Sequence, residues 1–232
     1  MKKVMITMVA VLTLLLSNSF MLPDAPQEDV RKLNAFSGIG ISVSADVYYT
    51  PGDTHEIRIE GDTKDVEDLI TEVKDGFLQV KYRSWKIRHS KVTLYITSKE
   101  LEAVKISGSA KFKAGEPVTT DEMNLAMSGS GSIQFEKLTA DEVDVSISGS
   151  GSLEMLNGGA DELDARISGS GKLNAETFEV SEFSASISGS GSVRITVKEE
   201  LETRISGSGK VYYHGTPRVN SSSSGSGKTV AL

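Results

Sequence analysis

Apolar and polar residues alternate with period two through most of this chain, and past residue 105 the alternation itself repeats. In the non-repeating part, Ile39, Ile41 and Val43 alternate, followed by Val47 and Tyr49 and a Pro51-Gly52-Asp53 turn. Ile57 and Ile59 alternate with Glu56, Arg58 and Glu60, the signature of a half-buried strand. The period then changes. Val66, Leu69, Ile70 and Val73 follow helical spacing behind Thr63, which predicts a short helix over 63–73. Asp75-Gly76 signals a turn. Leu78, Val80 and Tyr82 predict the next strand, and Val92, Leu94 and Ile96 another.

From 106 onward one phrase recurs: ISGSAK at 106, MSGSGS at 127, ISGSGS at 147, ISGSGK at 167, ISGSGS at 187, ISGSGK at 205 and SSGSGK at 223. The starts lie 21, 20, 20, 20, 18 and 18 residues apart. A fixed period near 20 makes each copy one structural unit stacked on its neighbour. Aligned copies give apolar columns such as Met123, Val143, Leu163, Phe183, Leu201 and Val219, or Met127, Ile147, Ile167, Ile187 and Ile205. After the Ser-Gly phrase come Phe112, Ile133, Leu153, Leu173, Val193 and Val211. Columns two residues apart mean two short strands per coil with one face inward. Ser-Gly-Ser-Gly then reads as the corner between them, where glycine lets one coil approach the next. The fold expected is all-β: a single-stranded parallel β-helix (a β-solenoid), right-handed, with coils of about 20 residues. About seven ISGSG coils occupy 106–232, and 33–105 forms an N-terminal β-rich cap with one short helix, continuous with them. The last coil puts Ser221 and Ser223 in apolar columns, as a polar terminal coil would.

Residues 1–19 read as a secretory signal: Lys2 and Lys3, an apolar run over 4–16, then Ser17-Asn18-Ser19. The run is short for an uncleaved anchor. Residues 20–32 read as a linker. The chain has no cysteine, which excludes disulfides and a lipid-anchoring cysteine. The net charge of −7 becomes −9 without Lys2 and Lys3, which argues against nucleic acid. After signal removal no transmembrane span is expected, and the location expected is the periplasm or cell surface of a Gram-negative bacterium.

Several motifs carry candidate chemistry. Gly225-Ser226-Gly227-Lys228-Thr229 looks like part of a phosphate-binding loop, but the required earlier glycine is Ser222, and the same letters recur at Ser170-Gly171-Lys172. The repeat explains the likeness. Calcium in the glycine turns is unexpected, because Ser148, Ser150 and Ser152 stand where an aspartate is needed. An outward acidic ladder is a weak metal candidate: Glu122, Glu142, Glu162 and Glu182, continued by Glu200, with Asp144 and Asp164 beside it. Ion pairs with Arg166 and Arg204 plus solvation are the simpler account of it. Ser128, Ser148, Ser168, Ser188, Ser206 and Ser224 form a hydroxyl column that stabilises the corner, and lysines interrupt its neighbour. The unusual patch lies in the cap. Lys81, Arg83, Trp85, Lys86, Arg88, His89 and Lys91 contain five Lys and Arg side chains in 11 positions with no acid, around the single Trp. Such a mix suits an anionic extracellular glycan or a matrix or envelope protein, through ion pairs and stacking. A solvated hairpin tip is the plainer reading.

Catalysis has thin support: HExxH and GxSxG motifs are absent, and His55, His89 and His214 lack ligand spacing. No cofactor is expected. Phe36-Ser37-Gly38-Ile39, Ile57-Arg58-Ile59-Glu60-Gly61-Asp62, Gly76-Phe77-Leu78-Gln79-Val80, Val92-Thr93-Leu94-Tyr95-Ile96 and the recurrent Ile-Ser-Gly-Ser-Gly together resemble the putative auto-transporter adhesin, head GIN domain family, over about 36–215. The resemblance implies a β-helical fold and secretion, and it supplies no catalytic residues. The function expected is a secreted, non-enzymatic β-solenoid, an adhesin-like binding or scaffold module of the cell envelope. Homo-oligomeric assembly is a further option. The alternative is a glycan-degrading β-helix of the polysaccharide lyase or glycosidase type. Such sites gather acids and bases on insertions between coils, and these repeats have almost none.

Overall fold

The computed structural model describes residues 27–84, 86 and 88–232. The expected signal over 1–19 and most of the linker over 20–32 lie outside them, as do Trp85 and Ile87. The fold is a parallel β-solenoid. The Ser-Gly repeat sets it in register residue for residue: Gly108, Gly129, Gly149, Gly169, Gly189, Gly207 and Gly225 are successive partners. Six turns separate these seven corners. The expected columns face inward, and their residues from Met123 to Val211 are buried.

The corner needs glycine for two reasons. The seven corner glycines have φ between +110° and +122°, a region L residues rarely adopt. The coils also touch there. A Cβ on Gly189 would lie 2.5 Å from the carbonyl oxygen of Gly169. Serine between the glycines keeps the ladder paired: Ser190 N–H donates to Gly169 O at 2.8 Å and Ser208 N–H to Gly189 O at 2.8 Å.

The non-repeating segment supplies coils of the same stack. Its elements are β1 (Gln27–Lys32), β2 (Gly38–Ile41), β3 (Ala45–Pro51), β4 (Glu56–Gly61), α1 (Thr63–Asp68), β5 (Leu69–Lys74), β6 (Phe77–Tyr82) and β7 (Val92–Ser98). The first Ser-Gly copy contributes β8 (Ala103–Gly108) and β9 (Lys111–Ala114). β2 pairs parallel with both β6 and β8, and β3 with both β7 and β9. The coil made by β2 and β3 is therefore threaded between two coils that follow it in sequence. Antiparallel strands close this end: β4 on β7, β1 on β4, and β5 on β6.

Helical spacing over 63–73 proves half right. The helix stops at Asp68, and Leu69 is already extended. Asp75 and Gly76, both with positive φ, form the tight turn that a two-residue hairpin needs. That turn folds 69–74 back onto β6, so Leu69, Thr71 and Val73 fall on one face of a strand. Besides the two strands expected per coil there is a third, shorter ladder. It pairs Val118 with Leu138, Leu138 with Gly158, and Gly158 with Phe178.

At the far end the strands Arg218–Gly225 and Lys228–Ala231 are almost wholly exposed. Here hydroxyls replace the apolar column. Buried Thr203 lies 2.8 Å from both Ser221 Oγ and Thr229 Oγ1, which are 3.0 Å from each other.

Candidate functional site

The basic patch spans the end of β6 and the segment leading to β7. Exposure divides it, and two of its lysines are held in ion pairs. Lys81 bonds Glu72 at 2.5 Å, and Lys91 bonds Asp46 at 2.6 Å. His89 is drawn inward. Its ring stacks on Tyr82 with centroids 3.6 Å apart and planes within 8°. One ring nitrogen, Nδ1, lies 3.0 Å from Asp65 Oδ1. The other, Nε2, lies 3.0 Å from Ser84 O and 3.2 Å from Asp68 Oδ2. Arg83, Lys86 and Arg88 remain exposed. Among the described residues, no carboxylate comes within ion-pair distance of Arg83 or Arg88. Trp85, the aromatic partner expected of the patch, lies outside the described residues.

The carboxylates beneath His89 come from α1. Asp65 and Asp68 stand three residues apart on one face of the helix, and Asp62 is the extended residue that caps its start. Asp65 is fully buried, accepts the Ser90 N–H at 3.0 Å, and sits under the imidazole. Asp62 accepts the Ser90 hydroxyl at 3.0 Å. Burial works against charge on Asp65, but the His89 and Ser90 hydrogen bonds prevail and hold its carboxyl below its ordinary value. Burial also opposes charge on His89, while Ser84 O, Asp65 and Asp68 raise its proton affinity. Tyr82 is pushed up to about 12, by burial and then by the same two carboxylates. This cluster is a clasp that pins the 83–91 segment to α1. The Asp-x-x-Asp-x-x-Asp spacing was the sequence signal for it, and the reading from the sequence did not use that signal.

The acidic ladder stands in the expected register. Glu122, Glu142, Glu162, Glu182 and Glu200 are successive partners, and Asn124, Asp144, Asp164, Ser184 and Glu202 form the next row. Arg166 lies 3.7 Å from Asp144 and 3.9 Å from Asp164, Arg204 lies 2.5 Å from Glu202, and Arg218 lies 2.7 Å from Glu200. Desolvation first, then Asp164 and the flanking glutamates, raise the pKa of Glu162. Among the described residues no group of three or more acidic or histidine side chains is arranged to hold a metal ion. Melting temperature is therefore expected to be equal in millimolar Ca²⁺ and in chelator; a rise of several degrees with Ca²⁺ would show a cation seated on the ladder. Glu162→Gln should raise the melting temperature slightly at neutral pH, because like charges directly opposed on a sheet are destabilising. The repulsion exists only while Glu162 is ionised, so the gain should vanish as pH falls through the raised pKa.

The phosphate-loop look of 225–229 dissolves in the structure. Those residues make a corner between two strands, with no helix N-terminus to receive a phosphate. The exposed serine column from Ser128 to Ser224 runs unbroken along the same corner.

The family model of the putative auto-transporter adhesin, head GIN domain matches residues 35–217. The chain belongs to this family. Among solved structures, a putative adhesin from Bacteroides fragilis superposes with TM-score 0.84 at 22% identity, covering 90% of this chain and 98% of that one. A putative adhesin from Parabacteroides merdae gives 0.73 at 24% identity, covering 90% and 97%. A putative lipid binding protein from Parabacteroides distasonis gives 0.74 at 24%, covering 90% and 98%. At such identities the likeness speaks for the fold alone. No curated protein matches the chain.

Proposed function

We propose that this family member is a non-enzymatic, adhesin-like binding module of the cell envelope. The observation that carries the reading is the pairing of a rigid, nearly insertion-free solenoid with a cationic patch clasped to its end. A module of this kind needs a stiff spacer and a fixed contact surface, and no groove where acids and bases converge. Arg83, Lys86 and Arg88 make the contact with an anionic glycan or an acidic face of an envelope or matrix protein. Lys81, His89 and Lys91 hold the segment in place, and Trp85 adds an aromatic surface. The adhesin family favours an extracellular or envelope location, and the charged-then-apolar 1–19 acts as the signal for export. No helix among the described residues is long and apolar enough to cross a membrane.

The test is a binding screen of the whole chain on anionic glycans and matrix proteins, run beside the double variant Arg83→Ala/Arg88→Ala. The module reading expects binding that the variant weakens at least tenfold, falls steeply with salt, and is accompanied by no turnover of any polysaccharide. Turnover abolished by a single acidic substitution would overturn it.

A further inference from the structure

The outer face of the solenoid carries a trough between the acidic ladder and the basic patch, bordered by Glu122 and Asn124 of the first and by Lys81 of the second. It follows β2. Ile39 and Ile41 point into the core, so the outward positions of this strand are Gly38 and Gly40. Both neighbouring strands carry side chains at the matching rows: Phe77 and Ala103 flank Gly38, and Gln79 and Lys105 flank Gly40. One bare strand between two furnished ones leaves a channel floored by backbone. The Phe77 ring leans into it from β6, so close that a Cβ on Gly38 would lie 2.6 Å from the ring. Gly38 backs one face of the ring and is buried by it, and the exposed Lys105 Nζ stands over the ring, 4.5 Å from its centroid. Two recesses, about 510 and 310 Å³, meet at Phe77 and Lys105. A third, about 310 Å³, continues from the first past Ser37. The larger recess holds Ser37, Glu102 and Asn124, with Ser37 Oγ donating to Glu102 Oε2 at 2.7 Å.

From this geometry we infer that the trough over β2 binds the pyranose rings of a neutral glycan, with Phe77 as the stacking platform. The inference deepens the module reading and rests on it. The flat C–H face of a sugar takes the outer face of Phe77 by displacing the exposed Lys105 ammonium, which swings aside to donate to a ring hydroxyl. Around it stand donors and acceptors in mixed supply: Lys105 donates, Glu102 accepts, and Gln79 and Asn124 do both, as a ring bearing several hydroxyls requires. Other ligand classes fit worse. Asp121, Glu102 and Glu122 line the larger recess and repel phosphate or sulfate. A lipid chain would strip water from Glu102 and Lys105 without replacing it. A peptide cannot add as a strand, because β2 is already paired on both sides. Three adjoining recesses match an oligosaccharide better than a single sugar.

Gly40→Thr tests the site without disturbing the core. A Cβ at Gly40 meets only Leu78 O, at 3.7 Å, and a β-branched residue suits a strand. The variant fills the trough while keeping its melting temperature at or above that of the native chain. The probe is an array of neutral oligosaccharides (glucans, mannans, galactans and amino-sugar polymers), read with the whole chain, Gly40→Thr, Lys105→Ala and Arg83→Ala/Arg88→Ala. The inference expects a neutral glycan to be retained, with affinity reduced at least tenfold by Gly40→Thr, weakened by Lys105→Ala, and unchanged by the arginine pair. Binding that survives Gly40→Thr overturns it. If only anionic or protein probes bind, and the arginine pair abolishes that binding, the trough reading fails while the module reading stands. An array on which no neutral glycan binds the native chain also overturns it.

Discussion

Gly189→Ala should lower the melting temperature by about 6–12 °C, the shift corresponding to about 3 kcal/mol in a chain of this size. Two effects combine. Backbone strain at a φ reserved for glycine costs about 1–3 kcal/mol, and forcing atoms into a packed contact costs about 1–3 kcal/mol more. Gly189 has φ of +120°, and its new Cβ would sit 2.5 Å from the Gly169 carbonyl oxygen, a backbone atom that cannot rotate away. Position in the stack decides how much of the cost is felt. A solenoid coil contacts only its neighbours, so a mid-stack fault splits the ladder in two. Gly225 has the same geometry, φ +122° and 2.5 Å to Gly207 O, but lies in the exposed final coil. That coil can fray, so Gly225→Ala should shift the melting temperature by only a fraction as much. Gly191→Ala should fall between them: it lacks the positive-φ strain, but the buried Ile167 Cγ2 at 2.6 Å and the Gly171 carbonyl oxygen at 3.1 Å still crowd its new Cβ. Calorimetry on the three variants checks the order. A Gly189→Ala chain melting within a degree of the native one would remove the corner account of the repeat.

That gradient comes from the repeat, which makes the solenoid legible in the sequence itself. Columns two residues apart fix inward and outward, and the 20-residue period fixes which residues stack, so the acidic ladder and serine column could be named in register. Where no repeat exists the legibility ends. Ile39, Leu78 and Val104 are adjacent in the stack, yet nothing in those residues says that 38–51 lies between 77–98 and 103–114. Helical spacing at Val66, Leu69, Ile70 and Val73 was ambiguous, because Leu69 and Val73 also fit period two; the positive-φ pair at Asp75 and Gly76 resolves it toward a hairpin. The basic patch was visible as a run of charge, but its partners were not, since Asp65 lies 24 residues from His89. The β2 trough left a signal too. In a strand reading Gly-Ile-Gly-Ile, the bare positions all fall on the outward face.

The clasp beneath the patch gives the second large effect, and its sign with pH is definite. His89→Ala should lower the melting temperature by about 6–20 °C at pH 6, since breaking a buried ion pair by removing one partner costs about 3–5 kcal/mol. The loss should shrink at high pH. His89 has its pKa raised in the folded chain, so its contribution is complete below the unfolded value and fades as pH climbs through the folded one. Asp65 runs the other way: its pKa is lowered, so its contribution is complete above the unfolded value and is lost as acid brings the pH through the folded one. Between those limits both charges are present, and the clasp is tightest in mildly acidic solution. Tyr82 does not disturb this window, because it stays neutral until about pH 12. A second readout is local. With the imidazole removed, the segment keeps only its Ser84 and Ser90 hydrogen bonds and the Arg83 backbone bond to the aspartates of 62–68, and trypsin should cut at Arg83 or Arg88 faster than in the native chain. Asp65→Asn keeps a hydrogen-bonding group beside the ring but removes one of its two carboxylate charges, so it should reduce the pH dependence, with Asp68 and Ser84 O holding the remainder, while keeping part of the stability. If the difference between native and His89→Ala chains is the same at pH 6 and pH 9, stacking on Tyr82 alone holds the segment, and the ionic clasp is refuted.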